Sequence, residues 1–122
     1  MKYLILIYLN PQSRAIWEGL GDEQRAAGLR VYAALNDELA TSGELIISER
    51  LADPSLTRSV PGQERMTTTD GPFAEVKEQV AGFYLVQCDS FDRAMDIAAR
   101  IPKTPGGVVE VHPVMDLNGV EM

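Results

Sequence analysis

The sequence predicts an α+β fold of the ferredoxin-like type, in which two helices cover one face of a four-stranded antiparallel sheet and an accessory β-hairpin is attached. Four short apolar runs and two segments of helical periodicity occur in the order β-α-β-(hairpin)-β-α-β. With right-handed crossovers, this order is the split βαβ plan. The 122 residues suffice for one hydrophobic core, so residues 1–122 are predicted to form a single domain.

The first half of the chain contains two predicted strands and a long helix. The run KYLILIYL is apolar at nearly every position and ends at Asn10-Pro11, which is typical of a central strand buried on both faces. The long helix has acidic residues in its first turn, and Gly43 is placed to end it in the left-handed conformation. The predicted elements are a strand over residues 2–9, a connector over 10–21, a helix over 21–43 and a strand over 44–51.

The second half of the chain contains a strand, a helix and a strand after a region rich in turn residues. A Pro-Gly pair at 61–62 separates residues 57–60 from residues 65–69 and predicts the accessory hairpin. Asp89-Ser90 is predicted to cap the helix that follows. The predicted elements are a strand over 80–88, a helix with the apolar face Phe91, Ala94, Ala98 and Ile101 that ends at Pro102, and a strand over 107–115.

The third predicted strand is apolar on both of its faces. Period-two alternation puts Phe83 and Leu85 on one face and Tyr84, Val86 and Cys88 on the other. The helices cover one face of the sheet, so the other face requires a partner surface, most simply the same face of a second chain. A standard interface buries about 800 Å² per partner, an area that a half-sheet of apolar residues supplies. We therefore expect a homodimer through the uncovered sheet face.

The composition argues against several classes of function. A formal net charge of −7 disfavours binding to nucleic acid and to anionic lipid, because both depend on Lys and Arg. No apolar run reaches the roughly 18 residues of a membrane span, and we expect a cytoplasmic protein without membrane contact. Cys88 is the only cysteine, which excludes an intrachain disulfide and a cysteine metal cluster. We expect no metal and no cofactor.

Three segments of the chain form a recognisable set: DGPFAEVKE (70–78), GFYLVQCDSFDRAMDIAARIP (82–102) and VEVHPV (109–114). Together with the opening MKYLILIY, Trp17 and Arg58, they closely resemble the DGPF proteins of the YCII-related family. The resemblance extends over essentially the whole chain and implies a dimeric α+β barrel, in which two ferredoxin-like sheets lie face to face. The chain departs from the family at Val76, where Thr is usual, and at His112, where many members have Arg.

The resemblance implies two different classes of function. The family is mostly unassigned, although an Asp–His pair has been proposed as an active site in the wider group. Related barrels include muconolactone isomerases and cofactor-free monooxygenases, which implies a lyase, isomerase or oxygenase that binds a small anion. DGPF genes also tend to lie beside genes of extracytoplasmic-function sigma factors. Together with the acidic composition, that neighbourhood implies instead a non-catalytic regulatory or ligand-sensing module.

The predicted topology brings four polar residues to one edge of the sheet. We expect the strand order 4-1-3-2 with strands one and three parallel, so that the start of strand three lies beside the end of strand four. Asp70 lies in the loop before strand three, and His112 lies near the end of strand four. Arg58 in the accessory hairpin and Arg50 at the end of strand two are predicted at the same edge.

Proton transfer is the chemistry that these residue types favour. An imidazole ordinarily has a pKa of about 6.5 and shuttles protons near neutral pH, and a nearby carboxylate fixes its tautomer. The carboxylate partner of His112 is expected to be Asp70 or, failing that, Glu110 or Glu75. Strand alternation puts Glu110 on the same face as His112. Cationic side chains would hold an oxygen of a small anionic substrate. The candidate site consists of Asp70 and His112 as catalytic residues and of Arg58, Glu75, Lys77 and Glu110 as substrate-binding residues.

Each candidate also has a purely structural interpretation. Asp70 in Asp-Gly-Pro suits a turn, in which its carboxylate accepts hydrogen bonds from backbone NH groups. The alternating charges of residues 75–78 suit a solvated loop. His112 suits an exposed or satisfied histidine at a strand end, and Cys88 suits a small buried hydrophobic residue rather than a nucleophile.

Overall fold

The computed structural model of the chain describes residues 1–62 and 79–121. Within these residues, the α+β class and the predicted order of the sheet strands are confirmed. The elements are β1 (Lys2–Leu9), α1 (Pro11–Glu18), α2 (Asp22–Ser42), β2 (Leu45–Arg50), a short 3-10 turn (Pro54–Leu56), β3 (Gln79–Gln87), α3 (Phe91–Ala99) and β4 (Val108–Pro113).

The four strands form one antiparallel sheet in the order β2-β3-β1-β4. The prediction that strands one and three run parallel was wrong, because β1 pairs with β3 in antiparallel register, from Lys2 opposite Gln87 to Leu9 opposite Gln79. The crossover through α2 leaves β1 and β2 parallel, so β3, which lies between them and returns from β2, runs against both. As a result, β3 begins beside the end of β1, whereas β4 ends beside the start of β1.

One face of the sheet, which we call the inner face, packs against the helices and forms the core. Tyr3 and Ile5 of β1 lie opposite Val86 and Tyr84 of β3 on this face, and all four are buried. The helices complete the core with Leu35, Leu39, Ala94, Ile97, Ala98 and Ile101.

The opposite face, which we call the outer face, carries apolar side chains that are only half-buried. Leu4 and Leu6 of β1 lie opposite Leu85 and Phe83 of β3, which confirms the alternation predicted for the third strand. Ile47 of β2 lies opposite Leu85 and is 43% exposed. The outer face is therefore more apolar than a fully solvated sheet surface would be.

The connector predicted over residues 10–21 was wrong, because this segment contains α1. The backbone NH of Ser13 donates to Asn10 Oδ1 at 2.7 Å, and the backbone NH of Asn10 donates to Ser13 Oγ at 2.8 Å. Pro11 occupies the first turn, where a missing NH costs no helical hydrogen bond. This capping box makes Asn-Pro a helix start as well as a strand end.

The other helix ends follow the predicted local signals. α2 ends at Gly43, whose φ of 82° is the expected left-handed conformation. α3 begins after Ser90, whose hydroxyl accepts a hydrogen bond from the backbone NH of Arg93 at 3.1 Å. Both ends depend on contacts within a few residues, which is why the sequence predicts them well.

The apolar face of α3 differs in part from its prediction. Ala94, Ala98 and Ile101 are buried as expected, but Phe91 is 42% exposed, and the centre of its ring lies 5.2 Å from that of the Tyr3 ring. Ile97 is fully buried although it was not predicted, because it completes the three-and-four spacing of the buried stripe.

Three further expectations concern the accessory hairpin, the burial of Cys88 and membrane-spanning segments. Residues 57–60 have irregular structure rather than a hairpin strand, and residues 65–69 lie outside the described residues. Cys88 is buried as predicted, and burial raises the pKa of its thiol. None of the helices in residues 1–62 and 79–121 is long and apolar enough to cross a lipid bilayer.

Candidate functional site

Glu110 and His112 lie side by side on the outer face of the sheet. They are opposite Leu6 and Leu4 of β1, which confirms that they share a face. His112 Nε2 is 3.2 Å from Glu110 Oε1, and about half of each side chain is exposed. Of the carboxylates considered as partners of this imidazole, Glu110 is thus the one that the described residues bring within hydrogen-bond distance.

The remaining predicted site residues are not joined to this pair by the described strands. Asp70, Glu75 and Lys77 lie outside the described residues, and Arg58 is exposed in irregular structure. The start of β3 does not carry the chain toward His112 as predicted, because β3 begins at the far end of β1 from that residue. The strand topology therefore gives no support for an Asp70–His112 pair.

A cavity of about 680 Å³ lies between the inner face of the sheet and the helices, and we call it the helix-side cavity. It is located where β1 and β2 end and where β3 and β4 begin, with α1 and α2 as the opposite wall. Its lining combines aromatic with polar side chains, chiefly Trp17, Tyr32, Tyr84, Arg14, Asn36 and Arg50.

Two glycines at this cavity allow close approaches of neighbouring groups: a Cβ at Gly82 would lie 2.9 Å from the carbonyl oxygen of Glu49. Gly82 of β3 lies opposite Ile7 of β1 and Arg50 of β2, so the sheet presents no side chain at this point of the cavity floor. Gly28 of α2 admits the ring of Trp17, since a Cβ at this position would lie 3.3 Å from that ring. Trp17 thereby holds α1 against α2 at the cavity wall.

The described lining is cationic although the protein is acidic. Three of the 11 basic residues line the cavity, Arg14, Arg50 and Lys103, against two of the 18 acidic residues, Glu18 and Glu49. The net charge of this lining is therefore +1 (3 − 2), while that of the chain is −7. Such a local excess of positive charge attracts anions to the cavity.

Arg14 and Asn36 contribute hydrogen-bonding atoms that no described residue uses. Nε and Nη2 of Arg14 and Oδ1 of Asn36 are buried without a hydrogen-bond partner among residues 1–62 and 79–121. Both side chains line the helix-side cavity. Because buried polar groups of native proteins are nearly always hydrogen-bonded, these three atoms indicate a partner that the described residues do not supply.

Two tyrosines supply neutral hydroxyl groups at the cavity. Burial raises the pKa of Tyr84 to about 12, and the neighbouring Tyr32 adds to this effect. Burial also raises the pKa of Tyr32, although the guanidinium of Arg50 acts in the opposite direction. The Tyr32 hydroxyl donates to the carbonyl oxygen of Pro102 at 3.2 Å. Both phenols are therefore protonated at neutral pH and are able to donate a hydrogen bond.

The sequence alone did not reveal the helix-side cavity. Arg14 and Trp17 had been assigned to a connector, and residues of a connector are not expected to line the core side of a sheet. Arg50 was expected near the start of strand three, and its pairing with Gly82 confirms this part of the prediction. The helical spacing of Arg14 and Trp17 after Asn10-Pro11 is the signal that would have found them.

The fold and the cavity define a small α+β protein with ferredoxin-like sheet topology and a cation-lined cavity beneath its helices. The chain belongs to the YCII-related family, because the model of the YCII-related domain matches residues 1–118. It is similar to an uncharacterized protein of Rhizobium meliloti (strain 1021), with 33% identity over 119 residues that cover 93% of this chain and 92% of the relative. Neither comparison names a reaction.

Proposed function

We propose that this protein binds a small organic anion with an apolar or aromatic body in the helix-side cavity. The observation that carries the proposal is the net positive charge of an aromatic cavity lining in a chain of net charge −7. Cavities of roughly 300–1,000 Å³ with mostly apolar walls and a few polar groups are the usual sites of small ligands. The cations fix the charged end of the ligand, and the aromatic walls cover its body.

The single tryptophan provides a direct binding assay, because Trp17 lies in the cavity wall. Its fluorescence is recorded during titration with benzoate and naphthoate and with the corresponding neutral carboxamides. We expect a saturable change with the carboxylates and binding of the carboxamides that is weaker by about tenfold or more, which corresponds to about 1.4 kcal/mol. Equal affinity for acids and amides would contradict an anion site.

A matched pair of variants separates the cavity from general electrostatics. Arg50→Gln removes a cation from the cavity lining, and Arg30→Gln removes one from the exposed side of α2, outside the lining. The net charge of the chain changes equally in both. We expect carboxylate binding to weaken by about tenfold in Arg50→Gln and to stay unchanged in Arg30→Gln. The same loss in both variants would refute the cavity as the binding site.

The Glu110–His112 pair supports a second candidate function, namely proton transfer to or from a substrate at the outer face. The 3.2 Å contact lets the carboxylate fix the tautomer of the imidazole. Since this pair and the helix-side cavity lie on opposite faces of the sheet, they do not act on one small ligand together. The catalytic roles predicted for Asp70 and His112 in a lyase, isomerase or oxygenase stay predictions.

The imidazole nitrogen chemical shifts of His112 test this second candidate, because it is the only histidine. We expect the Nε2–H tautomer to dominate in the neutral ring of the wild type and to lose that dominance in Glu110→Ala. The same tautomer ratio in both proteins would show that Glu110 does not orient the ring.

A homodimer through the outer face is part of the proposal, because Leu4, Leu6, Phe83 and Leu85 remain only half-buried in the single chain. In such a dimer, the Glu110–His112 pair would face the interior of the assembly. Sedimentation measures the mass directly, and we expect a dimer for the wild type and a monomer for Leu85→Lys. A monomeric wild type would contradict this interface.

A further inference from the structure

We infer that the ligand of the helix-side cavity carries a hydrogen-bond donor in addition to its carboxylate, so that hydroxylated aromatic acids are the ligand class that fits. The inference rests on the proposed function, because it specifies the ligand of the same cavity. It is carried by the hydrogen-bonding atoms that the cavity wall leaves without partners.

The unpartnered atoms of Arg14 define the first feature of the ligand. Nε and Nη2 form one side edge of the guanidinium, on which two N–H bonds point in nearly the same direction. This edge pairs with the two oxygens of a carboxylate in a bidentate arrangement. Glu18 follows Arg14 by one turn of α1, but no ion pair between them is formed in the described chain, so this buried edge is unpaired.

Asn36 defines the second feature of the ligand. Its Oδ1 is an acceptor, and a plain carboxylate, which only accepts hydrogen bonds, cannot satisfy it. The cationic side chains of the lining only donate hydrogen bonds, so they do not compete with Asn36 for a donor on the ligand. A hydroxyl group on the ligand would satisfy Asn36. Because the three unpartnered atoms have almost no accessible surface, the two side chains change rotamer to present them to the ligand.

The walls between these residues define the body of the ligand. Trp17 and Tyr32 present aromatic rings on the helix side, and Gly82 contributes no side chain on the sheet side. Aromatic walls favour an aromatic body through offset-stacked or edge-to-face contacts. The cavity of about 680 Å³ exceeds what a single ring requires, so both one-ring and two-ring acids are suitable probes.

The test uses a matched ligand series and the fluorescence of Trp17. The probes are benzoate and naphthoate, derivatives of each with a hydroxyl group that is not adjacent to the carboxylate, and the corresponding methoxy ethers. The ethers can accept but not donate a hydrogen bond through the added oxygen. In the wild type, we expect at least one hydroxy acid to bind about tenfold more tightly than its parent acid and its methoxy ether. This part of the test needs no variant and does not depend on the folding of one.

Two variants assign the preference to its residues. Asn36→Leu replaces the amide by an apolar side chain of similar size and high helix propensity within α2. We expect this variant to lose the preference for the hydroxy acid while its affinity for the parent acid stays within about twofold. Arg14→Met should weaken the parent and the hydroxy acid by the same factor, because both carry the carboxylate.

Each outcome has a distinct meaning. If the acids bind and Arg50→Gln weakens them, but no hydroxy acid is preferred or the preference survives in Asn36→Leu, this inference is wrong and the proposed function stands. A methoxy ether that binds more tightly than the hydroxy acid also overturns the inference, because Asn36 would then act as a donor. If no acid of the series binds, the inference and the proposed function both fail.

Discussion

Replacing Arg14 by methionine should stabilise the ligand-free protein while it weakens ligand binding. Methionine keeps an unbranched stem in the cavity wall and removes the guanidinium, whose Nε and Nη2 are buried without a partner in the described chain. Each unmet buried donor costs about 1–3 kcal/mol. Because the Arg14 side chain is only partly buried, we place the net gain in the free energy of unfolding at about 1–2 kcal/mol.

This gain is large enough for ordinary unfolding experiments. In a domain of this size, it raises Tm by about 3–10 °C, and circular dichroism during heating or urea titration measures it. The control is Arg30→Met, which removes the same charge from the exposed side of α2 and should change the free energy by less than about 0.5 kcal/mol. If Arg14→Met is instead less stable than the wild type, the guanidinium has a hydrogen-bond partner in the folded protein. In that case, Nε and Nη2 of Arg14 are not free to bind a ligand.

Three further predictions concern the fold. Hydrogen bonds of 2.8 and 2.9 Å from Arg93 hold the pKa of Glu44 at about 2, below its usual 4.5, so their stabilisation is complete above pH 4.5 and is lost as the pH falls toward 2. Glu44→Gln should therefore lower the free energy of unfolding, measured in urea at neutral pH, by about 1–2 kcal/mol, a modest amount because solvent weakens the ion pair. Near pH 2, the substitution should change the free energy of unfolding by almost nothing. An equal difference at both pH values would contradict this prediction. Leu39→Ala, at a fully buried position, should lower the free energy of unfolding by about 2–5 kcal/mol. Leu29→Ala, at a position that is 38% exposed, should lower it clearly less. Gly43→Ala should lower the stability by about 1 kcal/mol in thermal unfolding through backbone strain alone, because a Cβ at this position meets no atom within 4 Å; an unchanged Tm would refute that strain.

The strands and helix ends were predictable because their signals are local. The first strand was predicted over residues 2–9 and is observed as Lys2–Leu9, since an apolar run bounded by Asn-Pro is unambiguous in length. Gly43 and Ser90 ended and began their helices as predicted. The failure at α1 was also local, because the same Asn-Pro pair suits both the end of a strand and the start of a helix.

The site was predictable only in part. The shared face of Glu110 and His112 follows from strand alternation and was confirmed. The edge at which Asp70 and His112 were expected to meet depended on the direction of β3 relative to β1, and that direction was assigned wrongly. One wrong strand direction moves a predicted contact to the other end of the sheet.

The sequence by itself determined the family, the order of the elements and the alternation of the strands, because each of these is encoded within short segments of the chain. The tertiary structure alone decided where the helix-side cavity forms. Arg14 and Asn36 belong to different helices and Arg50 to a strand, and they line one cavity because the helices pack across the sheet. Their unmet hydrogen bonds arise from that packing, since no segment of the sequence shows which polar atoms the folded chain leaves without partners.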